Sequence, residues 1–145
     1  MIHNGDDTRA RKSAVFDIHA IAGAFPEEAS TMLIDTRLTD EQEASARVFR
    51  VYKPVPAHYH ATCDEYLFVV SGRARFILAD RPPFELGPGR LLFFKKGTVH
   101  GTPEILDEPF VVFSVDTPRR DPQDVIFVNP EDGTPETFIQ SQKLY

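Results

Sequence analysis

From Ser45 onward, apolar and polar residues alternate in short runs, the longest about five apolar residues. Period-two alternation marks a strand with one face buried, because successive side chains point to opposite sides of the pleat. It predicts strands over 45–52, 57–60, 65–71, 73–79, 84–86, 91–94, 98–101 and 110–116. Glycine and proline punctuate the series. Ser71-Gly72-Arg73 reads as a tight turn, Asp80-Arg81-Pro82-Pro83 as a wider one and Gly87-Pro88-Gly89-Arg90 as a third. Evenly spaced short strands of this kind predict an all-β, antiparallel sandwich or barrel.

The flanks carry weaker patterns. Val15 to Ile18 reads as a short edge strand, and Ala20 to Ala24 as a helical turn stopped by Phe25-Pro26. Thr31 to Ile34 reads as a strand. Thr39 and Gln42 have capping-box spacing, but alternation resumes at Ser45, which favours a hairpin loop over 39–43. Val125 to Val128 is a further apolar strand candidate, and it could pair with an edge of the same barrel or of a second subunit. The expected organisation is an N-terminal arm and edge segment (1–30), a barrel (31–118), and a C-terminal extension (119–145) packing on the barrel or on a homodimer partner.

Composition narrows the function classes. The 145 residues suit one domain. Twenty-two acidic against 16 basic residues give a net charge of −6, and no block of Lys or Arg occurs. That argues against a nucleic-acid partner, whose phosphates demand clustered cations. No apolar run approaches the roughly 20 residues that span a bilayer. The single Cys63 has no intrachain disulfide partner, and the N-terminal His3-Asn4-Gly5-Asp6-Asp7-Thr8 lacks a secretory pattern. The expectation is a cytoplasmic protein with a small-molecule ligand, no nucleic acid and no membrane.

The chemistry concentrates in His58-Tyr-His60-Ala-Thr-Cys-Asp-Glu65 and in His100, which hold three of the five histidines. Histidines at i and i+2 share one face of a strand. Glu65 follows a short turn, so a hairpin could return its carboxylate beside the imidazoles. One cysteine cannot build a thiolate zinc site. Three nitrogens and one oxygen suit one borderline divalent ion: iron, manganese, nickel, zinc or cobalt.

At these positions the chain resembles a cupin. The first family motif runs Gly, five residues, His-x-His, three or four residues, Glu, six residues, Gly; here it is His58, His60, Glu65 and Gly72, with Tyr52 in place of the leading Gly. The second runs Gly, five residues, Pro-x-Gly, two residues, His, three residues, Asn; here it is Gly89, Lys95-Lys96-Gly97, His100 and Glu104. Tyr52, Lys95 and Glu104 depart from the pattern, none at a ligand position. The resemblance covers about residues 45–116. It implies an antiparallel double-stranded β-helix, the jelly-roll barrel, with His58, His60, Glu65 and His100 around one metal ion and two coordination positions left for ligands.

Other candidates carry two readings each. Arg47 and Arg50 lie on opposite faces of one strand. If Arg50 and Tyr52 face inward, they orient an anionic or hydroxylated ligand; otherwise they form a solvated edge. Phe68, Phe76 and Phe94, with Phe113, either wall a substrate pocket or belong to the core. Lys95 and Lys96 read as a solvated turn, His3 and His19 as structural residues, and Cys63 as a turn residue. The resemblance implies a metal-dependent isomerase, lyase or decarboxylase acting on a small hydroxy or keto acid or a sugar derivative. The alternatives are an iron(II) dioxygenase and a non-catalytic module that binds metal or a small ligand. No general base stands out; Tyr52, Tyr66 and Glu104 are the options. Imidazoles must be neutral to bind metal, so occupancy is expected to fall below roughly pH 6.

Overall fold

The computed structural model describes residues 12–145; the first eleven residues of the expected arm, with His3, lie outside the described residues. A short helix α1 (Ile18–Ala22) precedes strands β1 (Leu33–Asp40), β2 (Ser45–Val51), β3 (Val55–Tyr59), β4 (Asp64–Leu78), β5 (Phe84–Leu86), β6 (Leu91–Phe94), β7 (His100–Thr117) and β8 (Ile126–Phe127). A 3₁₀ turn (Pro130–Asp132), a one-turn helix α2 (Pro135–Phe138) and β9 (Ile139–Leu144) complete the chain.

Two long strands organise everything else. β4 and β7 run antiparallel from Asp64↔Thr117 to Leu78↔His100, and each serves two sheets. The first half of β4 and the second half of β7 form the middle of a six-strand layer ordered β9-β1-β2-β7-β4-β6. The other halves join β5, β3 and β8 in a five-strand layer ordered β8-β3-β7-β4-β5. The strands bend from one layer to the other where their register slips, between Val69 and Ala74. Gly72 sits at that bend with φ of 79°, and a Cβ there would meet the Pro109 carbonyl oxygen at 2.4 Å. Only glycine accepts both constraints. The expected tight turn at 71–73 is therefore a bulged bend inside one strand. Likewise, the candidates 98–101 and 110–116 are the two ends of β7.

Between the layers lies the main core, built from Leu33, Phe49, Val51, Leu67, Val69, Phe76, Phe94, Phe110, Val112 and Phe127 among others. A second cluster covers the outside of the six-strand layer, where Ile21 and Phe25 pack on Ile34, Leu38, Val48 and Val111. This explains why β2 buries residues of both parities. Asp17 caps α1 by accepting a hydrogen bond from the Ala20 amide at 3.0 Å. The expected edge strand at Val15–Ile18 is replaced by this helix start, because an N-cap aspartate satisfies amides that a strand would leave to a partner. His19 is exposed on the helix.

The β1–β2 hairpin forms as expected, Thr36 opposite Val48. At the C-terminus, β8 pairs with β3 and buries Phe127, while β9 runs parallel to β1. The extension thus packs on its own chain. No helix among the described residues is long and apolar enough to cross a membrane.

Candidate metal centre

His58 on β3 and His100 at the start of β7 are direct cross-strand partners, with ring centroids 4.3 Å apart. His60, just beyond β3, lies 5.2 Å from His58 and 5.0 Å from His100 by the same measure. A turn delivers His100: Thr98 donates to the Lys95 carbonyl at 3.0 Å, Gly97 adopts φ of 82°, and its amide donates to the His60 carbonyl at 2.7 Å. Lys95 and Lys96 are exposed on this turn. All three imidazoles are buried, and one ring nitrogen from each lies within 4.8 Å of the others.

The other ring nitrogens fix the tautomers. His58 Nδ1 donates to the Pro56 carbonyl at 2.8 Å, His60 Nδ1 to Asp124 at 2.7 Å, and His100 Nδ1 to Thr98 at 2.9 Å. A carbonyl only accepts, so Nδ1 carries the proton and each neutral ring keeps a free lone pair on Nε2. Backbone carbonyls behind metal-ligating histidines serve this purpose. Burial lowers the His58 pKa to about 4, with the Arg120 charge acting in the same direction against the Pro56 hydrogen bond. Burial also holds His60 and His100 well below the ordinary value, aided by Arg120 and the neighbouring imidazoles. Three neutral nitrogens with free lone pairs fit a borderline divalent ion.

Glu65, the first inward residue of β4, is buried beside this cluster with Oε1 3.5 Å from His60 Nε2. Neither atom of that pair has a proton to share when the carboxyl is ionised. Two donors on one ion with bonds of about 2.1 Å stand roughly 3 to 3.5 Å apart, so a cation between them turns repulsion into attraction. The same carboxylate accepts from Arg120 Nη2, from Arg47 Nη2 at 3.2 Å and from Ser114 Oγ at 2.8 Å. Burial pushes its pKa up, while Arg120 and Arg47 pull it down.

An ionic network continues behind it. Arg47 binds Asp116 at 2.9 Å and Asp35 at 3.2 Å, and Arg120 binds Asp116 at 3.0 Å. These carboxylates raise the Arg47 pKa against the burial that would lower it, and Glu65 and Asp116 do the same for Arg120. Asp116 is held low by Arg47 and Arg120 despite its burial. Arg120 enters the barrel because the chain after β7 is pinned: its amide donates to Ser45 Oγ at 3.0 Å, and its carbonyl accepts from Arg37 Nη2 at 3.0 Å. Its Nε donates to the buried Cys63 Sγ at 3.3 Å.

The candidate pocket residues divide by strand parity. Arg47, Phe49 and Val51 point into the barrel; Val48, Arg50 and Tyr52 point out. Arg50 and Tyr52 both donate to the Pro26 carbonyl, at 3.2 and 2.7 Å, so the N-terminal segment takes the groups expected for a ligand. The inward parity belongs to Arg47 because its carboxylate partners all lie on that side. Phe68 also faces outward, 40% exposed. Phe76 and Phe94 do wall the interior, with ring centroids 6.2 and 4.1 Å from His100. The cavity at the histidines measures about 40 Å³, room for one or two waters. Phe138 of α2 closes it, 5.1 Å from the His58 ring.

Residues 49–116 match the family model for the cupin domain. They belong to the cupin family. This cupin is 35% identical over 71 residues to the dimethylsulfoniopropionate lyase DddQ of Ruegeria pomeroyi, covering 46% of the chain and 34% of that enzyme. The match thus spans about a third of that curated relative's length. The crystal structure of the same lyase superposes with a TM-score of 0.54 at 28% identity, over 64% of this chain and 47% of that one. KdgF from a Halomonas species gives a TM-score of 0.62 at 20% identity over 76% and 97% of the two chains. A double-stranded β-helix protein of Klebsiella pneumoniae gives 0.61 at 21% over 75% and 93%. The fold is the double-stranded β-helix.

Sequence reasoning missed Arg120, Asp116, Asp35, Asp124 and Phe138 as parts of this site. Asp124 holds the His60 loop through both its carbonyl and its carboxylate, which accepts from the Ala61 and Thr62 amides at 2.8 and 2.9 Å. The one signal available was Arg47, whose placement among apolar neighbours in a strand demands buried acids.

Proposed function

We propose that this cupin is a metal-dependent enzyme of lyase, isomerase or decarboxylase type, acting on a small hydroxy or keto acid or sugar derivative. His58, His60 and His100 hold the ion through Nε2, and Glu65 joins them through Oε1. The observation that carries the reading is the convergence of three buried imidazoles whose ligating nitrogens lie within 4.8 Å of one another, with Glu65 Oε1 beside them, 3.5 Å from His60 Nε2. A divalent ion there supplies Lewis-acid polarisation of a substrate oxygen. Arg120 and Arg47 line the same cavity, where their pairing with Glu65 pulls it toward the ionised form a ligand needs.

Proton transfer falls to few groups. Tyr52 is committed to Pro26 on the outer face, Tyr66 is exposed there, and Glu104 is exposed beside Arg75. Among the described residues lining the cavity, Glu65 is the one carboxyl group. Phe76, Phe94 and Phe138 keep bulk water out, and Phe138 must swing aside for an organic ligand, given the size of the cavity. The likeness to a lyase in the matched segment supports the lyase branch. A reducing compartment, the cytoplasm, suits the single buried thiol, and the working form is a homodimer.

The test begins with elemental analysis of untagged protein and of the H58A/H100A double variant, with circular dichroism to check folding. One ion per wild-type chain and none in a folded double variant is the expected result. Metal-loaded protein in D₂O should then exchange or eliminate the α-proton of a small hydroxy or keto acid, read by NMR. Oxygen consumption with iron would instead favour the dioxygenase. Metal and ligand binding without turnover of any panel member would leave the binding module.

A further inference from the structure

The outer face of the six-strand layer carries an apolar row with no partner among the described residues. Tyr66 pairs across strands with Phe93, and Phe68 with Leu91; their exposures are 41, 46, 40 and 62%. The Tyr66 and Phe93 rings lie 4.7 Å apart. Val115 and Phe113 continue the two rows inward along the sheet. Taking roughly 200 Å² for a whole large side chain, the four residues leave about 400 Å² exposed. That is patch-sized for a functional surface, and about half of the 800 Å² each partner gives to a stable interface.

Next to this ridge lies a groove of about 350 Å³ between α1 and the sheet, lined by Ile18, His19, Phe68, Val70, Gly89 and Phe113. Ridge and groove share one face, which is the condition for a self-complementary two-fold contact. We infer that a second copy of this chain occupies the face, each copy seating its Leu91–Phe93 ridge against the partner's groove. Arg90, next to the ridge in the chain, and Asp17, at the start of the groove-forming helix, are both exposed and opposite in charge. The eleven residues preceding the described ones hold only Met1 and Ile2 as large apolar side chains, too few to cover four. Edge-to-edge pairing of β6 is disfavoured, since an antiparallel match sets Arg90 near Lys95 and Lys96 of the other copy.

The inference rests on the homodimer reading and assigns its face, replacing the C-terminal strand as the contact. The test is sedimentation of the full chain over about 1 to 100 μM, a range that resolves a micromolar association, for the wild type, for L91K/F93K, and for a chain lacking residues 1–11. A wild-type dimer whose dissociation constant rises at least about 100-fold in L91K/F93K, with circular dichroism and metal content retained, is the expected result. L91K/F93K dimerising like wild type overturns the face and leaves the homodimer standing. A monomeric wild type overturns both, and if removal of residues 1–11 then produces association, the N-terminal arm is the occupant.

Discussion

Stripped of metal by a chelator, the protein should lose stability between pH 7 and pH 5, with His58 carrying a definable share. Its folded-state pKa of about 4 lies below the ordinary 6.5. The unfolded chain therefore takes up the proton first; stability is full above about 6.5 and is lost as the pH falls toward 4. At pH 5 the unfolded imidazole is almost wholly protonated and the folded one about a tenth so. Linkage converts that difference into a loss of about 2 kcal/mol relative to pH 7. Against a total stability of about 5 to 15 kcal/mol, one residue then matters.

His60 and His100 shift in the same direction and add to the loss. Glu65 opposes it: its raised pKa lets the folded state take up a proton before the unfolded chain does, a gain that accrues as the pH falls. A His58→Gln variant separates the contributions. Urea unfolding followed by circular dichroism, at both pH values with chelator present, should show the variant losing about 2 kcal/mol less than wild type. Equal losses within about 0.5 kcal/mol would refute the neutral, buried state assigned to His58.

With metal bound, acid release should coincide with unfolding rather than precede it near pH 6, because folded His58 resists protonation until about pH 4 and burial holds His60 and His100 well below their ordinary value; metal leaving a chain with unchanged circular dichroism at pH 6 would contradict this. Arg120→Gln strands Glu65 Oε1 and leaves Asp116 Oδ1 only the longer 3.4 Å hydrogen bond from Arg47 Nη2, and should cost about 3 to 5 kcal/mol in urea unfolding. The same change should tighten metal binding in competition titrations, since Oε1 is freed and a nearby positive charge removed; weaker binding by a folded variant would count against Glu65 as a ligand. Phe138→Ala should cost about 3 to 5 kcal/mol and speed metal exchange with a chromogenic chelator, because Phe138 closes the cavity over His58; unchanged exchange would place the entrance elsewhere.

Local pattern made the barrel legible, and the boundaries of its strands only in part. Alternation located β2, β3, β5 and β6 within a few residues, because each has one face on the core. It broke β4 at Gly72 and β7 near Pro103 and Pro109, since a glycine or proline in a bent strand looks the same as one in a turn. β9 was invisible: Ile139-Gln-Ser-Gln-Lys-Leu144 alternates weakly, and its place beside β1 depends on a parallel pairing across a hundred residues. Histidine spacing marked three residues that the fold brings together. The parity of β2 stayed open between an inward Arg50 with Tyr52 and a solvated edge, and the inward arginine is the fully buried Arg47. Burial of an arginine is decided by partners at Asp35, Glu65 and Asp116, and no window along the sequence contains them all.

That arrangement sets the electrostatics of the centre. Arg47 and Arg120 share three buried carboxylates, Asp35, Glu65 and Asp116, and Arg37 and Arg119 join the same hydrogen-bonded network with Asp40, so its charges balance. Taking one partner away leaves an uncompensated buried charge, which costs several kcal/mol. Glu65 is the carboxylate nearest the histidines, and Arg120 holds its Oε1. Arg120 then competes with the ion for Oε1, and its own alternative partner, Asp116, stands 3.0 Å away. The network can therefore release Glu65 to a metal without leaving Arg120 unpaired, and this is the physical reason to expect metal affinity and fold stability to move in opposite directions when Arg120 is removed.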